Sequence, residues 1–104
     1  MAISAFSVGQ KAATTPTLTN VVVVAADIEQ SFVLPDKTKF FELRNRGKGI
    51  MKYTYTALAS GTTYSRLSPG NIHCKAGIST TSLTIYFQSS KDGVAEVLEV
   101  ESWQ

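Results

Sequence analysis

At 104 residues and 11.2 kDa the chain has room for one hydrophobic core and not for two. Hydrophobic residues at 43% against charged residues at 17% exclude a disordered chain. A formal charge of +2 is too small for a dedicated nucleic-acid binder, and one cysteine, Cys74, excludes an intrachain disulfide.

The longest apolar run, Val21 to Ala26, is far short of the ~20 residues that cross a bilayer. The first residues lack a basic start and a sustained apolar segment, so no signal peptide is expected. The expectation is a soluble protein made in a reducing compartment, with no membrane partner.

In chain order, Met1 to Asn20 is rich in Ala, Ser and Thr, and its larger apolar residues Ile3, Phe6 and Val8 follow no helical spacing. Residues 1–18 are expected to form an extended segment, read either as a partly ordered tail or as an arm that orders on a neighbouring subunit. Residues 19–104 form the folded domain. Val21-Val22-Val23-Val24 is a strand because four β-branched residues suit a pleated surface, and its continuous apolar character predicts cover on both faces. Ser31 to Leu34 is a shorter strand ended by Pro35, and Asp36-Lys37-Thr38 turns the chain.

Phe40 to Ala57 reads as a hairpin. Phe41 and Leu43 alternate with Glu42 and Arg44, and Met51, Tyr53 and Tyr55 alternate with Lys52, Thr54 and Thr56, around the turn Asn45-Arg46-Gly47-Lys48-Gly49. Ala59 to Thr62 is a loop and Tyr64 to Leu67 a short strand. Ser68-Pro69-Gly70-Asn71 has the chemistry of a type II turn. Ile72 to Lys75 is a further short strand, and Ala76 to Thr81 a loop.

Leu83, Ile85 and Phe87 alternate with Thr84, Tyr86 and Gln88, and Lys91-Asp92-Gly93 predicts a second hairpin turn. In the last strand, Val94 to Trp103, Leu98 and Val100 face one way and Glu99, Glu101 and Trp103 the other. Val97 beside Leu98 breaks the alternation and predicts a bulge near Glu96. No window has helical spacing. Seven or eight short strands predict an all-β antiparallel sandwich, jelly-roll-like, with Phe41, Leu43, Leu83, Ile85, Phe87, Leu98 and Val100 in its core.

The chemistry-bearing residues do not assemble into a known constellation. His73 and Cys74 are adjacent on a strand and point to opposite faces, which separates an imidazole from the thiol it would deprotonate. Zinc would need further protein ligands that the spacing does not supply. No catalytic residue, metal or cofactor is therefore expected. Arg44, Arg46, Lys48 and Lys52 form a basic stretch beside Tyr53 and Tyr55, read as solubility charge or as a nucleic-acid surface, with the first favoured. The apolar run and the terminal Trp103, expected to be exposed, are contact residues for a protein partner. The candidate partner-binding residues are thus Val21, Val22, Val23, Val24, Arg44, Arg46, Lys48 and Trp103.

The succession Ser31-Phe32-Val33-Leu34-Pro35, Phe41-Glu42-Leu43-Arg44-Asn45-Arg46-Gly47, Ser68-Pro69-Gly70, Leu83 to Ser89 and Val97 to Trp103 resembles small β-sandwich virion structural proteins of tailed bacteriophages. There a "LP" strand end, an "N-x-G" turn and a "PG" turn recur in the same order, and the resemblance spans Ser31 to Trp103. It implies a non-enzymatic head decoration (cement) protein that bridges major capsid subunits, or a neck or tail component. It further implies other virion proteins as partners, a homo-oligomer (dimer or trimer) and a place on the virion after synthesis in the host cytoplasm. A carbohydrate or host-surface module stacking sugars on Tyr53, Tyr55, Tyr64 and Trp103 is the alternative.

Overall fold

The computed structural model describes residues 15–76 and 83–104. Most of the expected arm and of the loop expected from Ala76 to Thr81 lie outside the described residues. Eight strands follow in order: β1 (Thr17–Val23), β2 (Gln30–Val33), β3 (Phe40–Asn45), β4 (Met51–Thr54), β5 (Ser65–Leu67), β6 (Ile72–Ala76), β7 (Thr84–Ser89) and β8 (Gly93–Trp103). They form two antiparallel four-stranded sheets, β1-β8-β3-β6 and β2-β7-β4-β5. That order is a jelly roll, in which the chain alternates between the sheets and neighbours within a sheet are distant in sequence. Only β4 and β5 are both consecutive and paired among the described strands.

The period-2 pattern is realised strand by strand. In β3 Phe41, Leu43 and Asn45 face inward, in β4 Met51 and Tyr53, in β7 Ile85, Phe87 and Ser89, and in β8 Glu96, Leu98, Val100 and Ser102. Leu34, Leu67 and Val23 complete the core, and each large inward side chain contributes roughly 1.5–3 kcal/mol of burial. Six of the seven expected core residues are buried; Leu83 packs against the cluster from a half-buried position. Phe32 meets Phe87 edge-on, with ring centroids 6.1 Å apart.

Two expectations are corrected. Phe40 to Ala57 is not a hairpin, because β3 and β4 belong to different sheets; residues 46–50 form a corner between them. Lys91-Asp92-Gly93 is likewise a corner, taking the chain from β7 to β8. Two strands with one apolar face each can lie side by side or face each other across a sandwich, and alternation is the same in both cases. The difference lies in inward polar residues at the strand ends.

Asn45 is one of these, with 0% exposure. Its Nδ2 donates to Gly49 O and Leu67 O, each at 2.8 Å, and its Oδ1 accepts from Gly47 N–H at 2.9 Å. Its backbone N–H donates to Asn71 O, and its carbonyl accepts from Gly70 N–H. Glu96 reaches the same corner from β8. Its carboxylate accepts from Lys48 N–H (2.9 and 3.1 Å) and from Gly49 N–H (3.0 Å). A Cβ on Gly47 would overlap Glu96 Oε1, so the close approach requires glycine there.

Other local expectations hold. Asn71 N–H donates to Ser68 O at 2.9 Å and Gly70 has φ +81°, the type II turn. Thr38 closes on Pro35 O through both N–H and hydroxyl, with Lys37 at φ +64°. The β1–β8 register passes from Val22↔Val97 to Val23↔Gly93, so the irregularity falls around Glu96.

Candidate assembly interface

A sheet edge carries backbone groups that face no partner strand within the sheet. Among the described strands β1 and β6 border one sheet, and β2 and β5 the other. β1 is the longest of the four, with seven residues, and leads directly from residues 1–14. It pairs with β8 over Thr17↔Ser102 to Val22↔Val97 and has no strand on its other side among the described residues. At its end the Gln30 side chain donates to Val22 O at 3.0 Å and accepts from Val24 N–H at 3.1 Å.

The apolar run is divided between inside and outside. Val23 is in the core and Val21 is half-buried, whereas Val22 is 40% and Val24 79% exposed. The expected cover on both faces is therefore absent on the outer side among the described residues. Leu18, at 66% exposure, continues the apolar side chains along the edge, and Val94 is exposed in the bulged part of β8.

The outer face of this sheet can be read from its register. Leu18 lies opposite Glu101, Asn20 opposite Glu99, and Val22 opposite Val97. Across β8, Phe40 faces Trp103, Glu42 faces Glu101, and Arg44 faces Glu99. Glu99 holds two arginines, Arg44 Nε at 3.6 Å and Arg46 Nη1 at 3.3 Å. Such surface pairs are worth about 0–1 kcal/mol each and mainly set local charge. Trp103 is half-buried rather than exposed, because its ring packs at a tilt against Phe40 with centroids 4.7 Å apart. Its carbonyl also accepts from Lys39 N–H.

The basic stretch is not one patch. Arg44 and Arg46 are paired with Glu99, Lys48 sits on the corner held by Glu96, and Lys52 lies on the outer face of the other sheet opposite Arg66. The sandwich separates charges that are close in sequence. Among the described residues these four cations therefore form no single stripe.

His73 and Cys74 do point to opposite faces. His73 packs inward between Phe41 and Tyr53, with centroids 6.3 and 5.2 Å away, and its Nε2 has no hydrogen-bond partner among the described residues. Burial, and then the charge of Lys75, lowers its pKa. The exposed Cys74 thiol donates to Glu42 Oε2 at 3.4 Å; desolvation and that carboxylate raise its pKa, which keeps it a thiol. Among the described residues no three His, Cys, Asp or Glu side chains gather where they could hold a metal ion. Among the described residues no helix is long and apolar enough to cross a membrane.

Two recesses flank β4 and β5. One, of about 230 Å³, is lined by Tyr53, Tyr55, Tyr64 and neighbouring hydroxyls. Three of the four side chains expected to stack sugars meet there; Trp103 is on the opposite sheet. Burial raises the pKa of Tyr53 and Tyr55, so both stay neutral phenols. The other, of about 200 Å³, lies on the outer face around Lys52 and Arg66.

Sequence reasoning missed Glu96, Asn45 and Glu29 as structural centres. Glu29 accepts from Leu58 N–H (2.7 Å), Ser60 N–H (3.0 Å) and Ser60 O–H (2.5 Å), pinning the β4–β5 connection. The Ser60 hydroxyl and these amides, against an opposing desolvation, lower its pKa. For Glu96 a signal existed: it lies two and four residues before Leu98 and Val100 and so shares their inward face.

No family model matches the chain, and no curated protein matches it. Among solved structures it is similar to one described as a solution NMR structure of a de novo designed double-stranded β-helix. The two are 19% identical with a TM-score of 0.48, over 86% of this chain and 97% of that one. The jelly-roll assignment rests on this chain's own strand pairing.

Proposed function

We propose that the chain is a non-enzymatic structural protein of a bacteriophage virion, a capsid decoration (cement) protein. It bridges major capsid subunits through residues 1–18 and the open edge of β1. The observation that supports this reading is the β1 border: seven residues paired on one side, carrying exposed Leu18 and Val22 and running straight out of the leading segment. A partner strand added there gains main-chain hydrogen bonds and covers those side chains, the chemistry of β-augmentation. Homo-oligomers form by the same edge, and a neck or tail position would use it equally.

The test is occupancy on purified particles. Val22→Lys puts a charge on the edge, a device that blocks strand addition. It should abolish or strongly reduce binding while leaving the chain folded, and deletion of Met1 to Thr15 should weaken binding likewise. Full occupancy by both variants would overturn the proposal.

One observation favours a second reading, a carbohydrate-binding module: Tyr53, Tyr55 and Tyr64 line one recess. Binding on a glycan array that Tyr64→Ala abolishes would support it, and an array without signal would remove it.

A further inference from the structure

Lys52 and Arg66 stand directly opposite each other on β4 and β5, on the outward face of the sheet. Like charges in that relation repel. Among the described residues neither makes an ion pair: the one carboxylate paired with cations, Glu99, serves Arg44 and Arg46 on the other sheet. Lys52 is nevertheless held in place, its Nζ 4.9 Å from the centre of the Tyr64 ring. Gln88 is its neighbour on the β7 side.

Both residues line the recess of about 200 Å³ whose wall also includes Asp27, Ile50, Gln88 and Ser90. Ser90 Oγ accepts from Ile50 N–H at 3.0 Å, which leaves its own proton to donate. Asp27 is fixed at the rim by its N–H to Ser89 O at 2.7 Å, in a left-handed conformation with φ +59°.

From this arrangement we infer that the recess binds a carboxylate group. Two cations and one carboxylate line it, leaving a single net positive charge that a monoanion neutralises and a phosphate dianion overshoots beside Asp27. The planar fork of Arg66 matches a carboxylate with two parallel hydrogen bonds, Lys52 supplies a point charge, and Ser90 donates a third bond. The space accommodates a carboxylate with a short stem, such as a glutamate side chain or a small organic acid. This site is on the opposite sheet from β1 and stands independently of the virion reading.

The test is titration of the ¹⁵N-labelled full chain with acetyl-glutamate-amide, with acetate and with inorganic phosphate at constant ionic strength. Saturable shifts centred on Lys52, Arg66 and Ser90 are expected with a carboxylate. Tighter binding of the glutamate derivative than of acetate identifies a protein side chain as the source; equal binding identifies a small free acid. Arg66→Gln, at an exposed position, should weaken binding by roughly tenfold. Asp27→Asn keeps the left-handed conformation that Asn tolerates and should tighten binding, because it removes the repelling charge. Absence of saturable shifts, or affinities unchanged in both variants, would overturn the proposal. So would phosphate binding more tightly than either carboxylate.

Discussion

Replacing Glu96 by alanine tests whether buried polar groups at a corner, rather than strand pairing alone, fix the path between the sheets. Glu96 is 6% exposed and its carboxylate takes both corner amides, Lys48 N–H and Gly49 N–H, at 2.9–3.1 Å. A hydrogen bond to a charged group is worth about 1.5–3 kcal/mol. Gly49 is buried, so its amide would lose the full amount; Lys48 is exposed, and water recovers part of its share. Removing the carboxylate also relieves its own desolvation, which offsets some of the loss. The balance is a destabilisation of about 2–4 kcal/mol for Glu96→Ala and about half that for Glu96→Gln, which keeps one acceptor oxygen. Urea unfolding with an unchanged slope measures it, and amide exchange at Gly49 should quicken in parallel. Asn45→Ala should cost a similar amount, and the two losses should couple, because both side chains hold the same turn. A Glu96→Ala loss below about 1 kcal/mol, within the range of ordinary surface substitutions, would refute the reasoning.

Three further outcomes follow from single residues. His73 has a pKa lowered from 6.5 by burial and by Lys75. As pH falls below 6.5 the unfolded chain therefore takes the proton more readily than the folded one, and stability drops until the folded pKa is passed; unfolding between pH 7 and 5 should show this slope, and His73→Phe should remove it. Glu29 contributes at lower pH: its carboxyl is depressed below 4.5, so its stabilisation is present above that value and is lost as pH falls through the folded pKa. Gly70→Ala should cost about 1 kcal/mol from backbone strain alone, since Gly70 has φ +81° and nothing within 4 Å of an added Cβ. A neutral result in a melting curve would remove the conformational argument for that turn.

The sequence carried the strands and most of the core because alternation over Phe41 to Leu43, Ile85 to Phe87 and Leu98 to Val100 is a local property. The Ser68 to Asn71 turn was legible for the same reason: Pro and Gly set their own dihedrals. Sheet membership was not. Asn45-Arg46-Gly47 announces a turn, but whether β4 folds back beside β3 or crosses above it depends on Glu96, about fifty residues away, and on Leu67 and Asn71. The candidate contact residues were legible by type and not by place. Val22 and Val24 reach the surface while Val23 between them does not, as period-2 geometry requires once the face is known. Trp103 was read as exposed because nothing local reveals that β3 brings Phe40 under it.

The corners also explain how such a fold keeps its borders available. In a jelly roll the strands at the edges are joined to their sheets on one side only, so a fold relying on edge pairing for its integrity would lose stability whenever an edge is rearranged. Here the sheets are tied at their ends instead: Asn45 and Glu96 lock the β3–β4 corner, Asp27 and Asp92 tie the β1–β2 connection to β7 and to the β7–β8 corner, and Glu29 secures the β4–β5 connection. None of these bonds uses the open side of β1. Adding a strand along Thr17 to Val21 therefore draws on backbone groups that face no strand of this chain among the described residues, and only at Val22 and Val24 does the Gln30 side chain already hold the backbone. It follows that Val22→Lys and Glu96→Ala should separate cleanly, the first changing association at constant stability and the second changing stability.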